Sequence, residues 1–566
     1  MTDDDRAARA ERDLAEAQGL HRAGKVAGAL SLYRRAIEAQ PGHPRALAGL
    51  GACLAQSGDF AQAVGVLDRA LFAATGEREA ALVTANLGNA LQELGRKGEA
   101  LAAFDGALVV LPSNPDLHVN RGNVLRTMER DEEAVAAYVR ALSLDSGHGR
   151  ALLALAHVQR DRRDRVAALA VLERLLAIDP RSLEAHTLRG HVFFESGDFE
   201  SALFSYELVV RLAPDRSGIG LLRADALRRL GRHEEAILAY EAALAAAPDH
   251  PDRFTARVSL GTCHLLLGQF AQGLPCLEAR ISDPRGPAPR PLDPARTLDG
   301  VTGVQGRTVL LRFEQGLGDA IQFCRYAPML AERGASVVLE APDALRELLA
   351  SAPGVARVIP VGADPEPFDY NVFLASLPLA FGTRLDTIPA PVPYLRAPPE
   401  QRTRWRDRLG PRARPRAGLV WRGNAQHEND AQRSIPIERI VPLLLAPGAG
   451  RFEWFNLQRE ASDAELLHLV RLGVRNVVEE ITDLADTAAI VEELDLVISV
   501  DTSVAHLAGA LGKPVWILLA FEPDWRWMLG RGDSPWYPTA RLFRQPGAGD
   551  WQAVVEDVGK ALFEAG

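Results

Sequence analysis

The sequence predicts an α solenoid followed by two α/β units, and two observations lead to this fold class. In the first half of the chain, small and large residues recur with a period close to 34 residues, which is typical of stacked helix pairs. After about residue 305, short apolar runs alternate with amphipathic stretches, which indicates a parallel α/β sheet. With 566 residues, 47% of them apolar, the chain is too long for one core, and about three domains are expected.

Each unit of the solenoid is marked by an alanine and a large residue four positions later. Successive pairs are 34, 37, 34, 34, 34 and 34 residues apart: Ala29/Tyr33, Ala63/Leu67, Ala100/Phe104, Ala134/Tyr138, Ala168/Leu172, Ala202/Tyr206 and Ala236/Tyr240. Glycines mark the predicted turn between the two helices of a unit, at Gly24, Gly58, Gly95, Gly197, Gly231 and Gly268. Prolines close the units at Pro41, Pro112, Pro180, Pro214 and Pro248. The pattern of helix, turn, helix and stop is therefore repeated at least seven times.

This pattern resembles the tetratricopeptide repeat (TPR), which has small residues where its paired helices touch, an aromatic residue in the second helix and a terminal proline. The resemblance places a TPR superhelix of seven to eight repeats at residues 1–281. An eighth unit, Leu260–Arg280, has Gly273 where alanine is expected and is interpreted as a modified capping repeat. Such a stack forms a long groove that holds peptides, so a protein or peptide partner is expected there.

Two asparagine pairs are candidate ligands in that groove. Asn86 and Asn89 are matched 34 residues later by Asn120 and Asn123. A side-chain amide offers both a donor and an acceptor and can clamp the backbone of an extended peptide. Because only two repeats carry the pair, helix caps or solvated positions are an equally open interpretation.

The second half of the chain begins after a stretch rich in Pro, Gly, Arg and Asp, residues 282–305, which is predicted to be a linker. A first Rossmann-like lobe is placed at 306–398, a connection at 399–415 and a second lobe at 416–566. Expected strands are Thr308–Phe313, Val337–Glu340, Val358–Val361, Asn371–Leu374, Ala417–Trp421, Phe452–Leu457, Val474–Val478 and Leu496–Val500, with one helix at Ala320–Arg333. The two lobes are expected to face a cleft.

The polar motifs of these lobes resemble those of the heptosyltransferase-like (GT9-type) glycosyltransferases, which have the GT-B fold. The motifs are Gly318-Asp319, Arg433-Ser434-Ile435-Pro436, Asp501-Thr502-Ser503-Val504-Ala505-His506-Leu507-Ala508 and Gly512-Lys513-Pro514. The resemblance spans about residues 305–566. It implies that the first lobe is the acceptor side and that the second lobe binds a nucleotide-sugar.

In that family, the aspartate of the Gly-Asp turn is the proposed general base, and the matching residue is Asp319. An inverting transfer needs a carboxylate that takes the proton of the acceptor while the nucleoside diphosphate leaves from the opposite face of the sugar. The alternative is structural, because an aspartate that begins a helix often caps it.

The resemblance also implies a diphosphate site at Asp501, Thr502 and Ser503, beside a basic side chain and without a metal ion. Arg433, next to Ser434, takes the place of the lysine that is usual in the family. Ser503 replaces a family glycine and adds a Cβ where the backbone approaches phosphate. His506 is expected to donate to a phosphate or ribose oxygen. The alternatives are a structural histidine and, for Arg433, a surface ion pair.

Further residues are expected to line the cleft: Gly316, Gly318, Asn424, Trp525 and Arg526, with His427, Asn429 and Asp430 as second-rank candidates. The Pro/Gly-rich loop 521–538 also carries Trp527, Trp536 and Tyr537. Its aromatic side chains either stack on a base or sugar or pack as the wall of the cleft.

Composition and motifs exclude several classes of protein. A net charge of −10 and a pI near 5.8 argue against a nucleic-acid binder. No apolar run approaches a membrane span, and the charged N-terminus is unlike a signal peptide, so a cytoplasmic location is expected. Four scattered cysteines fit reduced thiols. Neither lobe has an Asp-x-Asp motif at a strand end for a metal, and Gly316 and Gly318 lack the third glycine of a dinucleotide fingerprint.

Together these features predict a bacterial, metal-independent inverting glycosyltransferase that needs no cofactor. It would move a sugar from a nucleotide-sugar to a protein acceptor presented by the TPR groove, with flagellin or another surface protein as a guess by analogy. One alternative is a scaffold protein with a degenerate GT-B domain. Another is a heptosyltransferase-like enzyme that acts on a lipid-linked saccharide.

Overall fold

The computed structural model describes residues 3–285, 293–314, 316–363, 367–426 and 430–564. The chain forms two compact units, Met1–Ile219 and Gly220–Gly566. The first unit is helical, and the second contains the remaining repeat helices together with two parallel sheets. The boundary between these two units lies inside the predicted repeat region 1–281, and the predicted domain bounds stay a prediction.

The first unit is built of consecutive helix pairs. Their bounds are Asp3–Arg22 (α1) and Val26–Ala39 (α2), Pro44–Gln56 (α3) and Phe60–Ala73 (α4), Glu77–Glu93 (α5) and Lys97–Val110 (α6), Pro115–Thr127 (α7) and Asp131–Leu144 (α8), Gly149–Asp161 (α9) and Arg165–Ile178 (α10), and Leu183–Glu195 (α11) and Phe199–Leu212 (α12). One apolar core runs from α1 to α11. The predicted α solenoid is confirmed.

Small residues on the first helix of a pair make room for the large residue of the second. A methyl group at Gly122 would lie 2.5 Å from Cε1 of the buried Tyr138, so only glycine fits there. The glycines predicted in the turns have positive φ, as expected. In two repeats, Glu129 (φ 59°) and Arg163 (φ 61°) occupy this left-handed position instead.

The second unit begins with the last repeat helices. They are Ile219–Arg229 (α13), of which Ile219 belongs to the first unit, His233–Ala246 (α14), Arg253–Leu266 (α15), Phe270–Leu277 (α16) and the short Ala279–Ser282 (α17). Gly273, predicted to mark a modified repeat, allows close backbone contact, because a methyl group there would lie 2.8 Å from the carbonyl oxygen of Gly261. Leu266 and Phe270 join the same apolar core as the two sheets.

The first sheet is parallel, with the strand order β3-β2-β1-β4. Its strands are Thr308–Arg312 (β1), Ser336–Ala341 (β2), Val355–Pro360 (β3) and Tyr370–Phe373 (β4), and its helices are Leu317–Phe323 (α18), Ala327–Ala331 (α19), Asp343–Leu349 (α20) and Leu377–Ala380 (α21). The predicted single helix Ala320–Arg333 is wrong. A 3-10 turn, Cys324–Tyr326, separates α18 from α19 just before Pro328, which lacks the N–H that a continuous helix needs.

The second sheet is also parallel, with the order β10-β9-β8-β5-β6-β7. Its strands are Arg416–Val420 (β5), Glu453–Asn456 (β6), Arg475–Asn476 (β7), Leu496–Val500 (β8), Val515–Leu519 (β9) and Ala540–Arg544 (β10). The helices are Pro399–Leu409 (α22), Asp430–Arg433 (α23), Ile437–Leu444 (α24), Asp463–Arg471 (α25), Leu484–Glu492 (α26), Ser503–Ala510 (α27) and Trp551–Glu564 (α28). The two parallel sheets confirm the predicted α/β class.

Two predicted connections have more structure than expected. The stretch 399–415 contains α22, whose buried Trp405 donates from Nε1 to Asp486 of α26 at 2.9 Å. In the predicted linker, Thr297 forms a parallel bridge with Asn371 of β4, so the end of the linker is held against the first sheet. Both segments are therefore packed parts of the second unit.

Candidate active site

Two strand-to-helix turns of the second unit meet at the carboxyl ends of their strands. One joins β1 to α18 and the other joins β8 to α27, and the two helices pack against each other. Gly318 permits this approach, since a methyl group there would lie 2.8 Å from Cδ2 of His506. Residues from both predicted lobes are therefore brought together.

The first turn places Asp319 at the third position of α18. Its Oδ2 accepts a hydrogen bond from the N–H of Gly316 at 3.0 Å, which is the capping contact considered as the structural alternative. Its Oδ1 forms an ion pair with Nη2 of Arg526. Both carboxylate oxygens therefore have partners, and the role of general base stays a prediction.

The second turn leaves the start of α27 open. Thr502 precedes the helix in an extended conformation, and its hydroxyl lies 2.9 Å from Oγ of Ser499. Within the described part of the chain, no side chain caps α27. The N–H groups of the first helical residues, Ser503 and Val504, are therefore placed to bind an anion at the positive end of the helix dipole.

Arg433 and Ser434 lie beside this second turn. Nη1 of Arg433 donates to the carbonyl oxygen of Asp501 at 3.3 Å, and its Nε donates to Asp430 at 3.3 Å. Ser434 Oγ accepts from the N–H of Gly423 at 3.0 Å and donates to Asp430 at 2.9 Å. Gly423 makes room for the arginine, because a methyl group there would lie 2.5 Å from Nε of Arg433.

His506 is buried between aromatic side chains. Its Nδ1 lies 2.9 Å from the hydroxyl of Tyr537, and its ring stacks on Trp527 with the centroids 5.1 Å apart. Burial, followed by the charge of Arg526, lowers the pKa of His506 to about 3. The imidazole is therefore neutral near pH 7 and can act as a hydrogen-bond partner but not as a cation.

Arg526 is bound by two carboxylates, Asp524 of its own loop and Asp319 of the first turn. Its Nη1 bonds both oxygens of Asp524, at 2.9 and 3.0 Å, while its Nη2 pairs with Asp319. Burial is the largest single influence on the pKa of Asp524 and would raise it, but the charge of Arg526 and the hydrogen bonds from Arg526 together lower that pKa. The pKa of Asp501 is raised, first by burial and second by the nearby Asp524.

Comparison with known protein families gives matches in both the repeat region and the second predicted lobe. Four models of the tetratricopeptide repeat match residues 20–87, 86–148, 152–226 and 219–280. The model of glycosyltransferase family 9 (heptosyltransferase) matches residues 455–524. The chain joins tetratricopeptide repeats to a family 9 glycosyltransferase segment. Protein FlbA of Caulobacter vibrioides is 27% identical over 327 residues, and the match covers 53% of this chain and 54% of that relative's length.

Several solved structures are similar to part of the chain. A tetratricopeptide repeat protein from Parabacteroides merdae has 18% identity and a TM-score of 0.37, covering 44% of this chain and 98% of that one. PilF of Pseudomonas aeruginosa has 20% identity and a TM-score of 0.33, covering 39% and 97%.

The matched family 9 segment contains the second turn and ends just before Arg526. Asp501, Thr502, Ser503 and His506 fall inside it. Asp319, Arg433 and Arg526 fall outside, so their place in the site depends on the contacts described above. Asp524 was missed by sequence reasoning, although its spacing to Arg526 would have allowed a local ion pair.

The aromatic residues of the loop 521–538 form a packed wall. Trp525 packs edge-on against Phe270 of α16, with the centroids 6.3 Å apart, and against Trp536 at 6.1 Å. Trp527, Trp536 and Tyr537 have no exposed surface. The wall interpretation fits these contacts better than stacking on a ligand.

The remaining loop candidates contribute less. Asn424 is exposed, and its Oδ1 accepts from the N–H of Gln426 at 3.0 Å within a local turn. His427 and Asn429 lie outside the described residues. Over the described ranges, no group of three His, Cys, Asp or Glu side chains is arranged to hold a metal ion. In the same ranges, no helix has the length and apolar character that crossing a membrane requires.

In the first unit, the asparagines of the repeats are partly engaged with one another. Nδ2 of Asn120 donates to Asn89 at 3.0 Å, and Oδ1 of Asn120 accepts from Arg150 at 2.9 Å. Asn123 accepts from the hydroxyl of Tyr138 at 2.8 Å, while Asn86 is half-buried. These contacts supply a fixed polar row between neighbouring repeats, and peptide binding by it stays a prediction.

Proposed function

We propose that the chain is a metal-independent inverting glycosyltransferase that moves a sugar from a nucleotide-sugar to a protein. The observation that carries this proposal is the meeting of the two turns. An uncapped helix start with Arg433 at its side faces a turn that supplies the carboxylate of Asp319. The match to glycosyltransferase family 9 at residues 455–524 supports the same activity.

The proposed donor site is the turn at residues 501–503. The N–H groups of Ser503 and Val504, together with the guanidinium of Arg433, would bind the diphosphate and stabilise the charge that develops as it leaves. Arginine suits this role because its planar fork can bond two phosphate oxygens at once. These fixed donors supply the positive charge that a metal ion supplies in other transferases.

The proposed chemistry is a single displacement at the anomeric carbon. Asp319 would take the proton of the acceptor hydroxyl, whose oxygen bonds to that carbon as the bond to the diphosphate oxygen breaks. The neutral His506 would hold the second turn in place through Tyr537. The acceptor would be a cytoplasmic protein, with a surface protein such as flagellin as the candidate, presented by the repeats.

Nucleotide binding tests the donor site. The full chain would be titrated by calorimetry with UDP, GDP, ADP, CDP and dTDP. We expect one of them to bind the wild type and to bind Arg433→Gln at least about tenfold more weakly. Arg439→Gln is the matched control, because Arg439 is an exposed arginine of the same lobe. Failure of all five to bind the wild type would contradict the enzyme proposal and favour the scaffold.

The base is tested separately by intact-mass analysis of flagellin and other surface proteins co-expressed with the chain. A mass increase of one sugar with the wild type, and none with Asp319→Asn, is the expected result. Transfer that continued at the same rate with Asp319→Asn would remove Asp319 from the base role and leave the donor site standing. The scaffold alternative is favoured by one observation, the ion pair that occupies Asp319.

A further inference from the structure

We propose that Arg526 is a second diphosphate ligand, which pairs with Asp319 while the donor is absent and turns to the diphosphate when the donor binds. This inference rests on the proposed function. It would couple the two turns, because the donor would release the carboxylate that the acceptor needs.

The position of Arg526 fits a residue shared by the two turns. Its side chain is 8% exposed, and its Nη2 contacts Asp319 of the first turn. Gly318, the neighbour of Asp319, lies against His506 of α27, since a methyl group there would be 2.8 Å from the ring. Arg433 contacts the carbonyl oxygen of Asp501 in the second turn. An anion at the start of α27 would therefore have guanidinium groups near it from two different segments.

An unused donor of Arg526 points to a missing ligand. Among the described residues, the buried Nε has no hydrogen-bond acceptor, although both Nη atoms have carboxylate partners. A buried N–H without a partner is unfavourable, because it has lost its hydrogen bonds to water and gained none in return. The acceptor it lacks would be an oxygen of an anionic ligand, and a diphosphate offers oxygens at the spacing of the guanidinium fork.

The loop that carries Arg526 is anchored so that only the end of the side chain needs to move. Glu522 forms an ion pair with Arg229 of α13 at 3.1 Å, and the N–H of Leu529 donates to the carbonyl oxygen of Leu266 in α15 at 2.9 Å. Asp524 holds Nη1 through both of its oxygens. While Asp524 holds Nη1, Nη2 can therefore change its partner and Nε can gain one.

The exchange explains how a paired carboxylate could serve as a base. While Arg526 holds Oδ1 of Asp319, that oxygen is not available to the proton of an acceptor. Once the guanidinium of Arg526 binds the diphosphate, Oδ1 of Asp319 is free. Oδ2 of Asp319 keeps its hydrogen bond from the N–H of Gly316. The acceptor oxygen then bonds to the anomeric carbon and gives its proton to Asp319, while the bond from that carbon to the diphosphate oxygen breaks. The negative charge that develops on the departing diphosphate is stabilised by Arg526 and Arg433. Donor binding would thus precede activation of the acceptor.

The test is a titration of the full-length variants with the nucleoside diphosphate that binds the wild type. Arg526→Gln should bind at least about tenfold more weakly, and Arg526→Lys should lie between, because lysine keeps the charge without the fork. Arg531→Gln is the control, since Arg531 lies in the same loop and pairs only with the exposed Asp533 among the described carboxylates. Equal affinity of the wild type and Arg526→Gln would overturn the inference and leave the donor site at Arg433 intact.

Asp319→Asn is the more discriminating variant, because it removes the carboxylate that competes with the diphosphate for Arg526. The nucleotide should bind this variant about three to ten times more tightly than the wild type, although transfer is lost. In the double variant Asp319→Asn/Arg526→Gln, Asp319→Asn should no longer tighten nucleotide binding, because the Arg526 guanidinium that it would release is absent. Unchanged or weaker binding by Asp319→Asn would overturn the exchange, even if Arg526→Gln fails to fold. Absence of binding by the wild type would instead refute the proposed function itself.

Discussion

The two strand-to-helix turns of the second unit differ in whether a carboxylate from the first turn of the helix bonds back to the residue before the helix. The turn after β1 is closed by its own side chain, because Asp319 bonds the N–H of Gly316. The turn after β8 has no such contact, because the hydroxyl of Thr502 is directed to Ser499. A closed turn repels a further anion and supplies a carboxylate, whereas an open turn attracts an anion. In the proposed mechanism, the first turn therefore serves the acceptor and the second turn binds the donor.

The largest effect is expected where the two turns touch. Gly318→Ala would place a methyl group 2.8 Å from the His506 ring, which Tyr537 and Trp527 hold in place. We expect a loss of about 1–3 kcal/mol in the free energy of unfolding and weaker nucleotide binding. Urea denaturation followed by tryptophan fluorescence measures the loss in the second unit alone, because all eight tryptophans lie after residue 400.

Gly316→Ala is the matched control for this substitution. Its new methyl group would lie 3.5 Å from Oδ2 of Asp319, which is an ordinary contact. Its free energy of unfolding should lie within about 0.5 kcal/mol of the wild-type value, which is the usual range for a substitution that disturbs no contact. Equal losses in the two variants would show that the turns do not pack as described, and the comparison between them would lose its basis.

The repeats could be predicted from sequence because their contacts are local. Gly122 and Tyr138 are 16 positions apart, and the same pairing recurs along the chain, so the period alone indicates the solenoid. The strands could likewise be predicted from short apolar runs. The division of the expected helix Ala320–Arg333 also has a local cause, because Pro328 lacks the N–H that a continuous helix needs.

The contacts that organise the candidate site could not be predicted in this way. Arg526 pairs with Asp319 across 207 positions, and Trp525 packs on Phe270 of a repeat helix. No local period or motif encodes such pairs, because they depend on how distant elements pack. The motif predicts that Asp501, Thr502, Ser503 and His506 lie at one strand-to-helix turn. It does not indicate that the buried Arg526 forms an ion pair with Asp319.

The next effect concerns His506, which supports the open turn. Its pKa falls from an unfolded value near 6.5 to about 3 in the folded chain, so its contribution to stability is complete above pH 6.5 and is lost as the pH falls toward 3. Between pH 7.5 and 5, the wild type should therefore lose about 2 kcal/mol relative to His506→Gln, which takes up no proton. Urea denaturation at both pH values measures this difference.

Asp501 does not obscure this measurement. Its raised pKa gives the opposite slope, with stability lost as the pH rises, but the residue is present in both proteins and its effect cancels in the difference. The glutamine side chain introduced by His506→Gln would keep a donor and an acceptor for Tyr537, so the two proteins should differ mainly in protonation. Parallel pH profiles for the wild type and His506→Gln would show that the imidazole is not kept neutral by its surroundings.

The smallest effect tests whether the second turn is open to a ligand. Ser503 occupies the first position of α27, and its backbone N–H, rather than its side chain, is the proposed phosphate donor. Ser503→Gly keeps that N–H, so nucleotide affinity should change less than about threefold, which corresponds to less than about 0.7 kcal/mol. Ser503→Ala, which keeps the Cβ and removes the hydroxyl, separates the two parts of the side chain. If glycine tightened binding tenfold or more and alanine did not, the Cβ would be what obstructs the diphosphate. The Ser503 side chain would then partly block access of the diphosphate to the N–H groups of the second turn. The two turns would differ less in their access to an anion than the structure indicates.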